Sequence, residues 1–146
     1  MESIEMIMTP KPICCTPETS LQDVAKMMIE ASCGEIPVVD SMEHLHLIGV
    51  ITDRDICCRT LGVGLNPMEM KAEDVMTFPA VSVTQSATLE QCQDLMEEKQ
   101  IRRVPVTDED QCLMGIISLA DIVERSKEMA AEIVQEVSRP SSASFH

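Results

Sequence analysis

Apolar and polar positions along the chain alternate between two periods. Leu21, Val24, Ala25 and Met28 recur at i, i+3, i+4 and i+7, one apolar face of a helix. Ser20 precedes this face as an N-cap, and Asp23 stands at the capping-box position. The pattern returns at Leu89, Cys92, Leu95 and Met96, with Thr88 as the cap and Gln91 completing the box. Between and after these helices lie short β-branched runs. Ile36 to Val39 and Val104 to Thr107 each contain a proline, which lacks the ladder N–H, so each is predicted to lie at a sheet edge or to begin at its proline. Leu47 to Thr52 and Leu113 to Ser118 are nearly continuous apolar runs, the mark of a buried strand. Met129, Ile133 and Val137 form one stripe and predict a final helix over 127–137, followed by a loose tail over 138–146.

The pattern is a repeat. Met8-Thr9-Pro10 returns 68 residues later as Met76-Thr77-Phe78. At the same offset Thr16 matches Thr84, Leu21 matches Leu89, and Ile36-Pro37-Val38-Val39-Asp40 matches Val104-Pro105-Val106-Thr107-Asp108. The first copy then carries a longer hairpin over 41–48, and the offset drops to 66. Gly49-Val50-Ile51-Thr52-Asp53-Arg54-Asp55-Ile56 matches Gly115-Ile116-Ile117-Ser118-Leu119-Ala120-Asp121-Ile122. One change of length accounts for the whole alignment, which divides the chain into a first repeat over 1–60, a linker over 61–74 marked by Gly62, Gly64 and Pro67, and a second repeat over 75–126. Each copy reads as strand, helix, strand, strand, helix. One copy cannot cover its own apolar face, whereas two related by an approximate two-fold can.

The sharpest local feature is a strand leading into Thr52-x-x-Asp55 and, in the second copy, Ser118-x-x-Asp121. This spacing makes a capping box. A helix N-terminus also offers free N–H groups to an anion, a hydroxyl beside it can bind phosphate, and a carboxylate one turn along can accept from ribose hydroxyls.

Met-Thr at the start, the Ile/Val-Pro-Val strand, and glycine, two apolar residues, Thr or Ser, then Asp three residues on appear twice in order. Together they resemble a tandem pair of CBS domains, the Bateman module, over roughly 8–124, and the small bacterial stand-alone proteins built from one such pair. The resemblance implies an α/β (α+β) fold: two β-α-β-β-α repeats related by a pseudo-two-fold axis, with two clefts between them and a C-terminal helix. It also implies a regulatory role: binding an adenosyl ligand such as AMP, ADP, ATP or S-adenosylmethionine without catalysis or a required cofactor. The family's ribose carboxylate falls on Asp55 and Asp121, and its neighbouring hydroxyl on Thr52 and Ser118. One cleft, cleft A, joins Ile116, Ser118, Asp121 and Arg103 with Ile13, Cys33, Gly34 and Ile36. The other, cleft B, joins Val50, Thr52, Arg54 and Asp55 with Val81, Ile101, Arg102 and Val104. The resemblance further implies a homodimer, for which the C-terminal stripe could extend the interface, and a protein partner supplied in trans.

The repeats differ in charge. Arg103 stands before the second Val-Pro-Val strand, where some family members hold phosphate, and its counterpart is Glu35. A carboxylate repels phosphate at short range. Arg54, whose counterpart is Ala120, offers a partial offset. Cleft A is therefore expected to be the better phosphate site, with Arg102 and Arg103 otherwise read as solvated charges.

Composition narrows the remaining possibilities. The 146 residues carry a formal net charge of −14, which disfavours nucleic acid and anionic membranes as partners. Phe78 and Phe145 are the only aromatics, so a base would sit between aliphatic side chains, for which the 12 Met and the many Ile, Val and Leu suffice. Seven Cys without a CxxC pair point to free thiols in a reducing compartment, and the first residues lack a signal peptide's basic start and apolar stretch, so a cytoplasmic protein is expected. His44-x-His46 could hold a metal but has no third ligand at suitable spacing, and Cys14-Cys15 and Cys57-Cys58 read as packing residues. No nucleophile elbow, phosphate-binding glycine loop or HExxH motif is present. Two other readings stay open: an assembly dimer with degenerate clefts that works through protein contacts, and a thiol- or metal-based enzyme.

Overall fold

The computed structural model describes residues 3–137; the tail expected over 138–146 lies outside them. After a 3-10 turn at Ile4–Met6 the chain forms β1 (Thr9–Pro10), α1 (Leu21–Ala31), β2 (Glu35–Val39), β3 (Leu47–Thr52) and α2 (Asp53–Arg59). Two 3-10 turns, Leu61–Val63 and Pro67–Glu69, lead to α3 (Ala72–Val75). The second copy follows as β4 (Val83–Thr84), α4 (Leu89–Lys99), β5 (Arg103–Thr107), β6 (Leu113–Ser118) and α5 (Leu119–Val137).

The predicted caps form. Ser20 accepts from the N–H of Asp23 at 3.1 Å, and Thr88 makes the full box with Gln91, at 3.0 and 3.1 Å. Both helices end in a left-handed residue that is not glycine, Ser32 at φ 49° and Gln100 at φ 55°. The helix predicted over 127–137 is not separate. It continues the closing helix of the second repeat without a break.

Pro37 lies in an edge strand as expected, since β2 pairs with β3 in a two-stranded sheet, but Pro105 does not mark an edge. Both strands begin two residues earlier, and β5 is interior in a four-stranded sheet of order β1-β6-β5-β4. Pro37 is tolerated because its carbonyl points away from β3, accepting from the Cys15 N–H at 3.0 Å. Its ring nitrogen faces the same way, so the β2–β3 ladder never calls on the missing donor.

Each repeat's leading segment lies on the other repeat. Thr9 pairs with Ile116 and Pro10 with Gly115, and at the equivalent place Thr77 pairs with Val50 through two backbone bonds of 2.8 and 3.0 Å. Glycine is required at both crossings. A Cβ on Gly49 would come within 2.7 Å of the Thr77 carbonyl, and one on Gly115 within 2.8 Å of the Thr9 carbonyl and 2.6 Å of Met8 Sδ. The cores are built the same way. The fully buried Ile4 joins Cys92, Met96, Val104, Val106, Ile117 and Ile122 in the second core. Its counterparts on α3, Ala72 and Val75, join Leu21, Val24, Ile36, Val38 and Ile51 in the first. The end of the stretch read as a linker is therefore a structural part of the first core. At the far end the hairpins are tied together: Leu47 N–H donates to the Gln111 carbonyl at 3.0 Å and Leu113 N–H to the Leu45 carbonyl at 2.8 Å. Among the described residues no helix is long and apolar enough to cross a membrane.

Candidate functional site

The crossing of β1 onto β6 opens a cavity of about 280 Å³ between the repeats. Thr9, Lys11, Pro12 and Ile13 line it from the leading segment. The end of α1 and β2 contribute Ala31, Cys33, Glu35, Ile36 and Pro37, and Arg103 and Ile116 enter from the second repeat. Of the residues grouped as cleft A, the fold brings Ile13, Cys33, Ile36, Arg103 and Ile116 to one wall. Gly34, Ser118 and Asp121 are not on that wall: Gly34 follows Cys33, Ser118 is the register partner of Arg103, and Asp121 is bonded to Ser118.

Both capping boxes are complete. Thr52 N–H donates to Asp55 Oδ2 at 3.0 Å, and the Asp55 N–H to Thr52 Oγ1 at 3.0 Å. In the second repeat Ser118 N–H donates to Asp121 Oδ2 at 2.9 Å, and the Asp121 N–H to Ser118 Oγ at 3.1 Å. Capping thus occupies one oxygen of each carboxylate. Asp55 carries further partners: its Oδ2 also accepts from Thr77 Oγ1 at 3.3 Å, and Arg59 Nη2 stands 3.9 Å from Oδ1. Arg59 is itself anchored to the Val75 and Met76 carbonyls at 2.8 and 3.1 Å.

The residues grouped as cleft B occupy varied positions. Val50 is engaged through its backbone with Thr77. Arg54 and Arg102 are exposed, and Val81 is half-buried. Val104 is fully buried in the second core, against which Ile101 packs.

The structure corrects one expectation about charge. Glu35 does not belong to the Asp55 side alone; it lines the same cavity as Arg103. Its Oε2 is buried and has no hydrogen-bond partner. Burial pushes its carboxyl up to about 7, Arg103 acting to lower it and Asp55 to raise it. The residues not foreseen on the wall include Lys11 and Ala31. Lys11, at φ 48°, is held by its N–H on the Met114 carbonyl at 3.1 Å, and nothing in the repeat alignment singles it out.

Four of the thiols are held less acidic than an ordinary thiol. All seven are free. Burial raises the pKa of Cys14, Cys15 (to about 12) and Cys92 (to about 11); burial and the neighbouring Asp108, Asp110 and Asp40 raise that of Cys112. Among the described residues no three His, Cys, Asp or Glu gather as a metal site, and His44 bonds instead to Ser41 Oγ at 3.2 Å.

Comparison with known proteins gives a consistent picture. The family model of the CBS domain matches twice, over residues 4–59 and 72–128. The chain is 34% identical over 140 residues to the uncharacterized protein YlbB of Bacillus subtilis, covering 94% of this chain and 93% of that one. It is 30% identical over 124 residues to the uncharacterized protein MK0525 of Methanopyrus kandleri; the match covers 85% of this chain but only 62% of that relative. Among solved structures, Hypoxic Response Protein I with two coordinated zinc ions superposes with a TM-score of 0.76 at 32% identity, covering 84% of this chain and 98% of that one. The CBS domain pair of protein MJ0100, in complex with 5′-methylthioadenosine and S-adenosyl-L-methionine, superposes with a TM-score of 0.75 at 25% identity, covering 88% and 98%.

Proposed function

The chain belongs to the CBS-domain family, and on that premise we propose that it is a non-catalytic regulatory module that binds an adenosyl ligand between its repeats. The observation that carries this reading is the cavity, whose wall is drawn from both repeats and from the crossing segment. Ile13, Ile36, Pro37 and Ile116 give it an apolar slot for a ring in a chain with almost no aromatics. Asp121, capping with one oxygen, keeps the other for a ribose hydroxyl, while Asp55 is tied to Thr77 and Arg59; this favours cleft A over cleft B. A ligand that contacts both repeats differentially would bias their packing, and a partner in trans would read that change.

A homodimer and a reducing, cytoplasmic setting complete the proposal. The dimer is supported by the apolar residues that α5 leaves exposed, Val123, Met129, Ile133 and Val134. The setting is supported by seven free thiols.

Isothermal titration of nucleotide-stripped protein with AMP, 5′-methylthioadenosine and S-adenosylmethionine tests the reading. Binding that is lost in Asp121→Ala supports it and assigns cleft A. Binding that survives there and is lost in Asp55→Ala overturns the choice of cleft. No heat with any ligand overturns the adenosyl reading in favour of an assembly protein.

A further inference from the structure

Adenosine alone leaves two groups on the cavity wall unanswered. Glu35 opens β2 and Arg103 opens β5; they are repeat counterparts, and the fold brings both to one cavity. Glu35 Oε2 is buried with no donor, although Arg103 lies near enough to act on the carboxyl. A buried carboxylate oxygen without a donor is costly, so a group that supplies the donor gains by binding. A phosphate would answer Arg103 but would set like charge against Glu35. A tail bearing both an ammonium and a carboxylate answers both. We propose that Glu35 and Arg103 form a charge filter that selects an adenosyl ligand with a zwitterionic amino-acid tail over a nucleoside phosphate. The proposal rests on the adenosyl reading above and names the ligand's far end.

The charged groups around Glu35 fit this role. Arg103 faces it from β5, Asp55 from α2, and Lys11 lines the same wall from the segment after β1. On its own side, Asp53 lies against Gly34. Burial holds the Glu35 carboxyl near 7. An ammonium beside it would favour the ionised form, so binding of the zwitterion releases a proton and strengthens as pH rises from about 6 to about 8. A phosphate would favour the protonated form, and its binding weakens over the same range.

Three probes that share adenosine separate the terms: S-adenosylhomocysteine, 5′-methylthioadenosine, which lacks the amino-acid tail, and AMP. Titrated at pH 7.5, wild-type protein should bind S-adenosylhomocysteine about tenfold or more tighter than 5′-methylthioadenosine, and AMP more weakly than either. In Glu35→Gln the ratio of the first two should fall about tenfold, while AMP gains relative to 5′-methylthioadenosine. Arg103→Gln should lower the same ratio and weaken AMP. Ratios within one variant cancel any general loss of folding. Equal wild-type affinities for the first two probes, or a ratio that Glu35→Gln leaves unchanged, overturns the charge filter and leaves the adenosyl reading standing. Absence of binding by all three overturns both.

Discussion

Glu35 is where a single side chain has the widest consequences. Its folded-state carboxyl is raised from an ordinary 4.5 to about 7 by burial. Between these values the folded protein holds a proton that the unfolded chain has lost, so stability falls as pH rises through that window, and the penalty is complete above the folded value. Its upper bound is about 3 kcal/mol. The melting temperature of wild-type protein should therefore drop between pH 5 and pH 8, and Glu35→Gln should flatten the profile, gaining stability at pH 8 but not at pH 5. Parallel profiles for the two proteins would contradict the assignment. Gly115 is the second decisive residue. A Cβ there meets backbone at Thr9 and the Met8 sulfur, so Gly115→Ala should cost about 1–3 kcal/mol in urea unfolding. Gly62→Ala, whose Cβ would approach nothing nearer than 3.4 Å, should stay within about 0.5 kcal/mol of wild type. At this scale the sequence exposed the capping Asp and Ser/Thr pairs because their spacing is local. It could not expose the meeting of Glu35 with Arg103, which depends on how two repeats oppose each other.

Among the elements, helices and strands were largely legible because their signals are periodic. The runs 47–52 and 113–118 are β3 and β6 with those bounds. The edge expectation failed for Pro105, since β5 is interior, and held for Pro37, whose nitrogen turns away from β3 in the edge strand β2. The ends of α1 and α4 carried no glycine signal, since Ser32 and Gln100 take the left-handed position. The exchange of leading segments was not legible either. Nothing local in Ser3 to Met8 shows that Ile4 belongs to the second core rather than the first. That placement makes a testable claim about an element near the N-terminus. Ile4→Ala should cost about 2–5 kcal/mol by urea unfolding, as for any fully buried isoleucine. A loss below about 0.5 kcal/mol would mean that the 3-10 turn is not part of the core.

For the whole molecule, the repeat alignment carried the architecture, because two copies that each leave an apolar face open have few ways to close. The symmetry it implies holds in detail: the crossing of Thr9 over β6 repeats as Thr77 over β3, and Ile4 repeats as Ala72. Charge breaks that symmetry at positions 35 and 103 and separates the two clefts. The proposed homodimer is testable at the same scale. Ile133, 63% exposed, stands with Met129 and Val134 among the exposed apolar residues of α5 that the proposed interface would cover. Ile133→Glu should shift the mass measured by analytical ultracentrifugation from two chains to one at the same concentration, without lowering the melting temperature of the chain itself by more than a few degrees. A dimer that survives this change would place the interface elsewhere. The central claim, an adenosyl ligand held between the repeats, is tested most directly by a crystal structure of the protein grown with S-adenosylhomocysteine. The account predicts the adenine between Ile13, Ile36 and Ile116, the ribose on Asp121, and the tail between Glu35 and Arg103. Ligand density at Asp55 alone, or none in the cavity at saturating concentration, would contradict it.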